Sequence, residues 1–429
     1  MRRQILATLL VVAPLAAAAQ PRPAAARHGF SMDRLARIDG FLQGAVDSGR
    51  IAGAVALVTR DGDVVYERAV GWADREAGRR MTADAVFRIA SQSKALTSTA
   101  IMMLVEQGRI DLSEPVRRYI PSFTGTMVAS RADTGRTLVP AKRAITIRDL
   151  LTQTAGISYG TDAAVAERYA AVGLGRSAGF GWYLADKDED ICTSMERLGH
   201  LPIVAQPGEQ WVYGYATDIL GCVVERVSGT PLDVFLRTHI TAPLGMPDTR
   251  FFLPAAQRDR LTAVYVTDST GHAVRAPNGP RGQGDYVDGP RRDFSGGAGL
   301  LSTARDYARF LQAMLGHGAV DGVRLLAPKT VDVMTSNQVG TLYTQEGMGF
   351  GLGYQVVQRP GALGLATVGS YGWAGAYGSI YLVDPAEGLV IVYMTQQLPV
   401  RTPIADRLST LVYQALVSPR DTLPHRAPR

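Results

Sequence analysis

The 429-residue sequence is 46% hydrophobic, 20% charged and 7% aromatic, with 46 glycines and 23 prolines. That composition excludes a disordered, fibrous or coiled-coil chain, and the length accommodates roughly two to three units with buried cores at about 100 to 200 residues per domain. The 45 basic and 39 acidic residues give a formal charge of +6, but the arginines are interspersed with acids, only Lys94, Lys142, Lys187 and Lys329 are lysines, and nucleic acid is not an expected partner.

At the N-terminus, Arg2-Arg3 forms a positive n-region, Ile5 to Leu15 a mostly apolar h-region, and Ala16-Ala17-Ala18-Ala19-Gln20 a small-residue cleavage site. This is the pattern of an export signal over residues 1–19. The apolar run, interrupted by Pro14, falls short of the ~20 residues that cross a bilayer, and no later run reaches that length. The expected product is exported, periplasmic or secreted, without an integral membrane segment once the signal is removed. Residues 20–31 form a tether, rich in Pro, Ala and Arg from Pro21 to Arg27. The only cysteines, Cys192 and Cys222, permit one bridge or two separate buried thiols, and both readings stand. The six histidines are isolated, so no metal site is expected.

Beyond the tether, Leu35, Ile38, Phe41, Leu42 and Ala45 recur at helical spacing over Met32 to Ala45. Ala54 to Arg60 and Val64 to Val70 read as strands joined by an Asp-Gly turn at Asp61-Gly62-Asp63. Ser91 to Gln107 is again helical. A middle region of helices and Gly/Pro-rich loops follows, with helical patterns at Ile147 to Thr152, Ala216 to Val227, Pro231 to Arg237 and Ala304 to Leu315. Phe350 to Val357, Tyr377 to Val383 and Leu389 to Thr395 read as strands, and Pro403 to Leu416 as a closing helix. Strands at both ends with helices between predict one sheet built from residues 32–90 and 325–417, a mostly helical part over 91–324 and a tail over 418–429.

The residues that carry chemistry begin at Ser91-Gln92-Ser93-Lys94. Spacing of i, i+3 at a helix start puts Ser91 and Lys94 on one face, where the amine reaches the hydroxyl and can act as the base that a serine nucleophile needs. Downstream lie Ile145-Thr146-Ile147-Arg148-Asp149-Leu150-Leu151-Thr152-Gln153-Thr154-Ala155-Gly156, Pro207-Gly208-Glu209-Gln210-Trp211-Val212-Tyr213, Ser295-Gly296-Gly297-Ala298-Gly299-Leu300 and Gly372-Trp373-Ala374-Gly375. In this order the stretches resemble the serine β-lactamase-like superfamily, in the branch of class C β-lactamases, D-amino-acid-releasing peptidases and family VIII carboxylesterases, over roughly residues 32 to 417.

The resemblance implies an α+β fold, an antiparallel sheet flanked by helices with a mostly helical second domain, and an active site between the two. It makes Ser91 the nucleophile and Lys94 and Tyr213 a coupled base for it, with either as the proton acceptor, and Tyr215 stands where the family's Y-x-N motif carries asparagine. A phenol beside an ammonium loses its proton more easily, so Tyr213 and Lys94 are read as sharing one proton. The resemblance also implies an oxyanion hole from the Ser91 and Ala376 amides, and substrate contacts from Gln153, Tyr215, Trp373 and Gly375. Trp373 stands where the family's K-T-G or H-x-G motif, on the edge strand, places a cation.

A competing motif, Gly175-Arg176-Ser177-Ala178-Gly179, matches G-x-S-x-G but lacks the strand before it and the helix after it that a nucleophile elbow requires. The function expected is a cofactor-independent serine carboxylesterase acting on short-chain or small aromatic esters through an acyl-enzyme. The alternatives are a class C-type β-lactamase or D-amino-acid peptidase acting on an amide, and a non-catalytic penicillin-recognising protein.

Overall fold

The computed structural model describes residues 26–132, 135–175, 184, 187–277, 285–399, 403–418 and 420. The export-signal segment and Ser177 lie outside the described residues.

One eight-stranded antiparallel sheet takes β1 (Gly53–Arg60), β2 (Asp63–Asp74) and β3 (Arg79–Arg80) from early in the chain. The remainder, β4 (Met348–Phe350), β5 (Gln355–Val357), β6 (Tyr371–Ala374), β7 (Ile380–Asp384) and β8 (Leu389–Thr395), comes from late in the chain. The order is β4-β5-β6-β7-β8-β1-β2-β3, so the two parts meet where β8 pairs with β1, from Leu389 opposite Arg60 to Thr395 opposite Ala54. The helices that concern the site are α1 (Met32–Asp47), α2 (Ser93–Glu106), α3 (Ile147–Leu151), α4 (Ile191–Gly199), α5 (Ala216–Ser228), α6 (Ala304–Leu315) and α7 (Ile404–Tyr413).

Alternation along the strands divides the core. Ala54, Ala56 and Val58 of β1 and Leu389, Ile391 and Tyr393 of β8 share a cluster with Leu35, Ile38 and Leu42 of α1 and Leu408 and Val412 of α7. The intervening Val55, Leu57, Val390, Val392 and Met394 join the larger core, where α6 packs on β8 and β1. Both faces of the central strands are therefore buried, and these strands read as nearly continuous apolar runs. α6 lies within the stretch predicted to be helical, yet it serves the sheet.

In the helical part α2 packs against α5, and α5 against α3 and α4. Ser93 to Leu104 of α2 are all buried, the polar Ser93, Lys94, Thr97, Ser98 and Thr99 among them. A capping box at Thr146 and Asp149 starts α3. A disulfide between Cys192 and Cys222 joins α4 to α5, which decides between the two readings of the cysteines.

Three local features differ from the sequence expectation. The strand expected over Phe350 to Val357 is two strands, because the chain turns at Gly353 (φ 97°), where a Cβ would lie 2.5 Å from Ser98 Oγ of α2. The strand expected from Tyr377 starts only at Ile380, since Gly375 N–H donates to Ser379 O (2.8 Å) and Gly378 N–H to Gly375 O (3.0 Å), folding those residues into a turn. A hairpin of Met127–Ala132 with Gly135–Pro140 interrupts the helical middle. Among the described residues no helix is long and apolar enough to cross a membrane.

Candidate active site

Ser91 sits where a short strand becomes a helix. Phe87–Arg88 pairs with Leu301–Ser302, the chain makes a 3-10 turn over Ala90–Gln92, and α2 begins at Ser93. Ala90 holds φ 44°, a left-handed conformation that costs a non-glycine residue of order 1–3 kcal/mol and that the surrounding pairing must enforce. Ser91 is half-buried and Lys94, one turn on, is 2% exposed. Lys94 Nζ lies 3.4 Å from Ser91 Oγ and donates to Tyr159 Oη at 2.9 Å and Gly297 O at 2.8 Å. These contacts fill the three hydrogen-bonding directions of Nζ, and the serine contact is the longest of them.

Tyr213 meets Lys94 differently from the sequence expectation. Lys94 Nζ faces the Tyr213 ring, 4.6 Å from its centroid, while the Tyr213 hydroxyl oxygen accepts from Trp373 Nε1 at 3.1 Å. The phenol oxygen in hydrogen-bond contact with Lys94 is that of Tyr159, a residue the sequence reading did not select. Burial, reinforced by Tyr213, pushes the Tyr159 hydroxyl well above the usual tyrosine range. Tyr159 stands in a loop just past Gly156, and a single tyrosine there carries no periodic signal. Its place is set by ring contacts with Tyr213 at 5.6 Å and Tyr215 at 4.8 Å.

The remaining sequence-selected residues divide into two groups. Trp373 and Gly375 come to the nucleophile. Gly375 is buried, and a Cβ there would lie 2.6 Å from Ile89 O, so only glycine lets the turn approach the Ser91 segment this closely. Ala376 follows in the same turn and is exposed. β6 is not the outermost strand, but its neighbour β5 pairs only with Tyr371 and Gly372, so Trp373 and Ala374 run on as a local edge.

Tyr215 and Gln153, by contrast, are scaffold. Tyr215 is 1% exposed and its hydroxyl donates to Leu174 O at 3.0 Å. Gln153, also buried, donates to Thr217 Oγ1 at 3.2 Å and accepts from Gly214 N at 3.2 Å, which holds the turn presenting Tyr213. Their side chains are turned into the protein, so neither is offered to a ligand.

Around Tyr213 the site has an aromatic wall. Trp211 stacks on Tyr213 at 5.6 Å and meets Tyr343 edge-on at 4.8 Å, and Phe350 contacts Trp211 and Trp373, each at 5.4 Å. Such edge and offset pairs favour planar apolar groups.

The arrangement of a serine, a buried lysine and two phenols agrees with the comparisons to known proteins. A family model described as Beta-lactamase matches residues 38–414. The chain belongs to the β-lactamase family. Among its relatives, esterase EstB of Burkholderia gladioli is 34% identical over 385 residues, which cover 85% of this chain and 92% of EstB. A putative D-alanyl-D-alanine carboxypeptidase of Escherichia coli (strain K12) is 26% identical over 404 residues, 89% of this chain and 86% of that protein. The solved structure of EstCE1, a hydrolase with promiscuous acyltransferase activity, superposes with a TM-score of 0.74 at 28% identity, covering 90% of this chain and 99% of that one. In this β-lactamase-family fold the S-x-x-K stretch leads into α2, and Trp373, next to the last residue of β6, donates to Tyr213 beside it.

Proposed function

We propose that the chain is a serine carboxylesterase that uses Ser91 as nucleophile. The observation that carries this reading is the buried Lys94 amine, fixed by Tyr159 and Gly297 within 3.4 Å of Ser91 Oγ. Lys94 takes the Ser91 proton as Oγ attacks the ester carbonyl, the amides of Ser91 and Ala376 bind the oxyanion, and the alcohol leaves with a proton returned by the Lys94/Tyr159/Tyr213 cluster. Water then releases the acid from the acyl-enzyme. Tyr213, held by Trp373, stands on the same side of Lys94 as the aromatic wall and is assigned to the leaving-group proton.

Two facts favour esters over carboxylate-bearing amides. EstB, named an esterase, is among the most similar relatives, and Trp373 stands where a cation would pair with a substrate carboxylate. A unit-charge pair at ~4 Å is worth about 1 to 4 kcal/mol at effective dielectrics of about 80 to 20, which a neutral indole does not supply. The second reading, a β-lactamase or D-amino-acid peptidase, is supported by the carboxypeptidase relative. Purified protein assayed with a p-nitrophenyl butyrate ester, a cephalosporin and a D-Ala-D-Ala peptide separates the two. Faster turnover of the β-lactam or the peptide than of the ester would replace the esterase reading. We also propose export by the N-terminal signal, a reading supported by the Cys192–Cys222 bridge, since such bridges persist in oxidising compartments.

A further inference from the structure

The Lys94 amine leans on a turn that is itself fixed by a buried acid. Asp218, in the first turn of α5 and 1% exposed, accepts at Oδ1 from Ser295 Oγ (2.5 Å) and from Gly297 N–H (3.1 Å). The carbonyl of the same Gly297 accepts from Lys94 Nζ at 2.8 Å, so one residue faces the carboxyl with its N–H and the amine with its C=O. Thr97 of α2 donates to Gly296 O at 2.8 Å and pins the turn from the other side. A Cβ at position 297 would overlap Asp218 Oδ2, so the Gly-Gly sequence is what admits the carboxyl this close.

A second buried carboxyl lies nearby. Asp293 is 1% exposed, accepts from Ser194 Oγ at 3.2 Å through Oδ2, and leaves Oδ1 without a hydrogen-bond partner. Two neighbouring buried carboxyls cannot both ionise cheaply, and the one with fewer donors takes the proton. Asp293 is that one: burial, with Asp218 beside it, pushes its carboxyl up to about 9. Burial also raises Asp218, but Lys94, Ser295 and Gly297 all act to keep it ionised. The titratable groups facing Asp218 are Lys94 on α2, Tyr159, Tyr215 and Asp293.

We propose that Asp218 is the buried counter-ion of the Lys94 ammonium, a positioning residue that acts through the Ser295-Gly296-Gly297 turn and carries the negative charge of the Asp218/Asp293 pair. When the Ser91 O–H bond breaks and an N–H bond forms on Lys94, the new ammonium appears beside this anion. The proposal rests on the assignment of Ser91 and Lys94 above, but not on which acyl compound is the substrate.

The experiment is therefore the rate of covalent labelling of Ser91 by a fluorophosphonate as a function of pH, followed by intact mass. In Asp218→Asn the plateau rate should fall about 10- to 100-fold, and the acid limb should move to lower pH by about one unit, because an ammonium no longer has its counter-charge. Asp293→Asn replaces a neutral acid by a neutral amide and should label within about twofold of wild type with the limb in place. A folded Asp218→Asn with a wild-type limb, or an Asp293→Asn that moves it, overturns the proposal. If Asp218→Asn yields no folded protein, Ser295→Ala decides: removing one donor to Asp218 should move the limb the same way by a smaller step, and an unmoved limb counts against the proposal. Wild-type protein that labels but hydrolyses no ester sinks the esterase reading and leaves Asp218 untouched.

Discussion

Lys94 is the residue on which the site turns, since serine, phenol and loop carbonyl all converge on its amine nitrogen. Ser91→Ala should therefore abolish both ester turnover and phosphonate labelling, whereas Ser177→Ala should retain them; labelling lost only in Ser177→Ala would assign the nucleophile to the G-x-S-x-G match. The two tyrosines can be separated by kinetics. Tyr213→Phe should lower kcat by about 10² to 10⁴ with a smaller change in KM, the usual cost of losing a positioned acid or base. Tyr159→Phe should cost at least as much, because its oxygen is the one in hydrogen-bond contact with the amine. A loss under about threefold in either variant removes that tyrosine from the proton path. Trp373→Lys introduces a cation at the local edge of β6 and removes the indole bond to Tyr213. It should lower kcat/KM on neutral esters while raising the ratio for carboxylate-bearing substrates by about five- to several-hundred-fold. An unchanged ratio would show that Trp373 does not set that preference.

At the scale of elements, the disulfide ties α4 to α5, the helix that follows Tyr213 and carries Asp218. Replacing both cysteines by serine should lower unfolding free energy by about 2 to 4 kcal/mol, as for a loop of this length, read by denaturant titration; a change under about 0.5 kcal/mol would mean the bridge adds no constraint. The elements most legible in the sequence were those whose pattern is local. The β1–β2 hairpin announced itself by two strand-sized runs on either side of the Asp61-Gly62 turn, and α6 by its apolar stripe. The Phe350 to Val357 run misled because its apolar residues continue on both sides of Gly353, while the chain turns there, with Gly351 N–H donating to Tyr354 O at 2.7 Å and room beside Ser98 of α2 only for a glycine. Ser91, Lys94, Tyr213 and Trp373 were found through ordered motifs, and these four come together. Tyr215 and Gln153 belong to the same motifs but face inward, and motif position does not reveal which way a side chain turns. Tyr159 and Asp218 escaped notice because their partners lie far away in sequence and arrive only through the packing of α2, α5 and the Ser295 turn.

For the molecule as a whole, the buried acids make stability depend on pH in a defined direction. The Asp293 carboxyl is raised from 3.8 in the unfolded chain to about 9, so its contribution is fully present below about pH 4 and is lost as pH rises toward and through about 9. Glu225, raised by burial from 4.5 to about 7, acts in the same sense over a narrower window. Asp293→Asn should therefore raise the thermal midpoint more at pH 8 than at pH 5, measured by calorimetry in matched buffers. Equal shifts at both pH values would mean that Asp293 is ionised in the folded protein.

The pairing of β8 with β1 carries a consequence for how the molecule comes into being. The centre of the sheet joins Gly53–Arg60 to Leu389–Thr395, so its middle seam cannot close until nearly all of the chain has left the ribosome. Until then β1 and β2 form a lone hairpin, and an isolated hairpin is at best marginally stable in water. The growing chain thus keeps the apolar residues of β1 without their β8 partners for most of its synthesis, and contacts this distant in sequence favour slow folding and exposure to association.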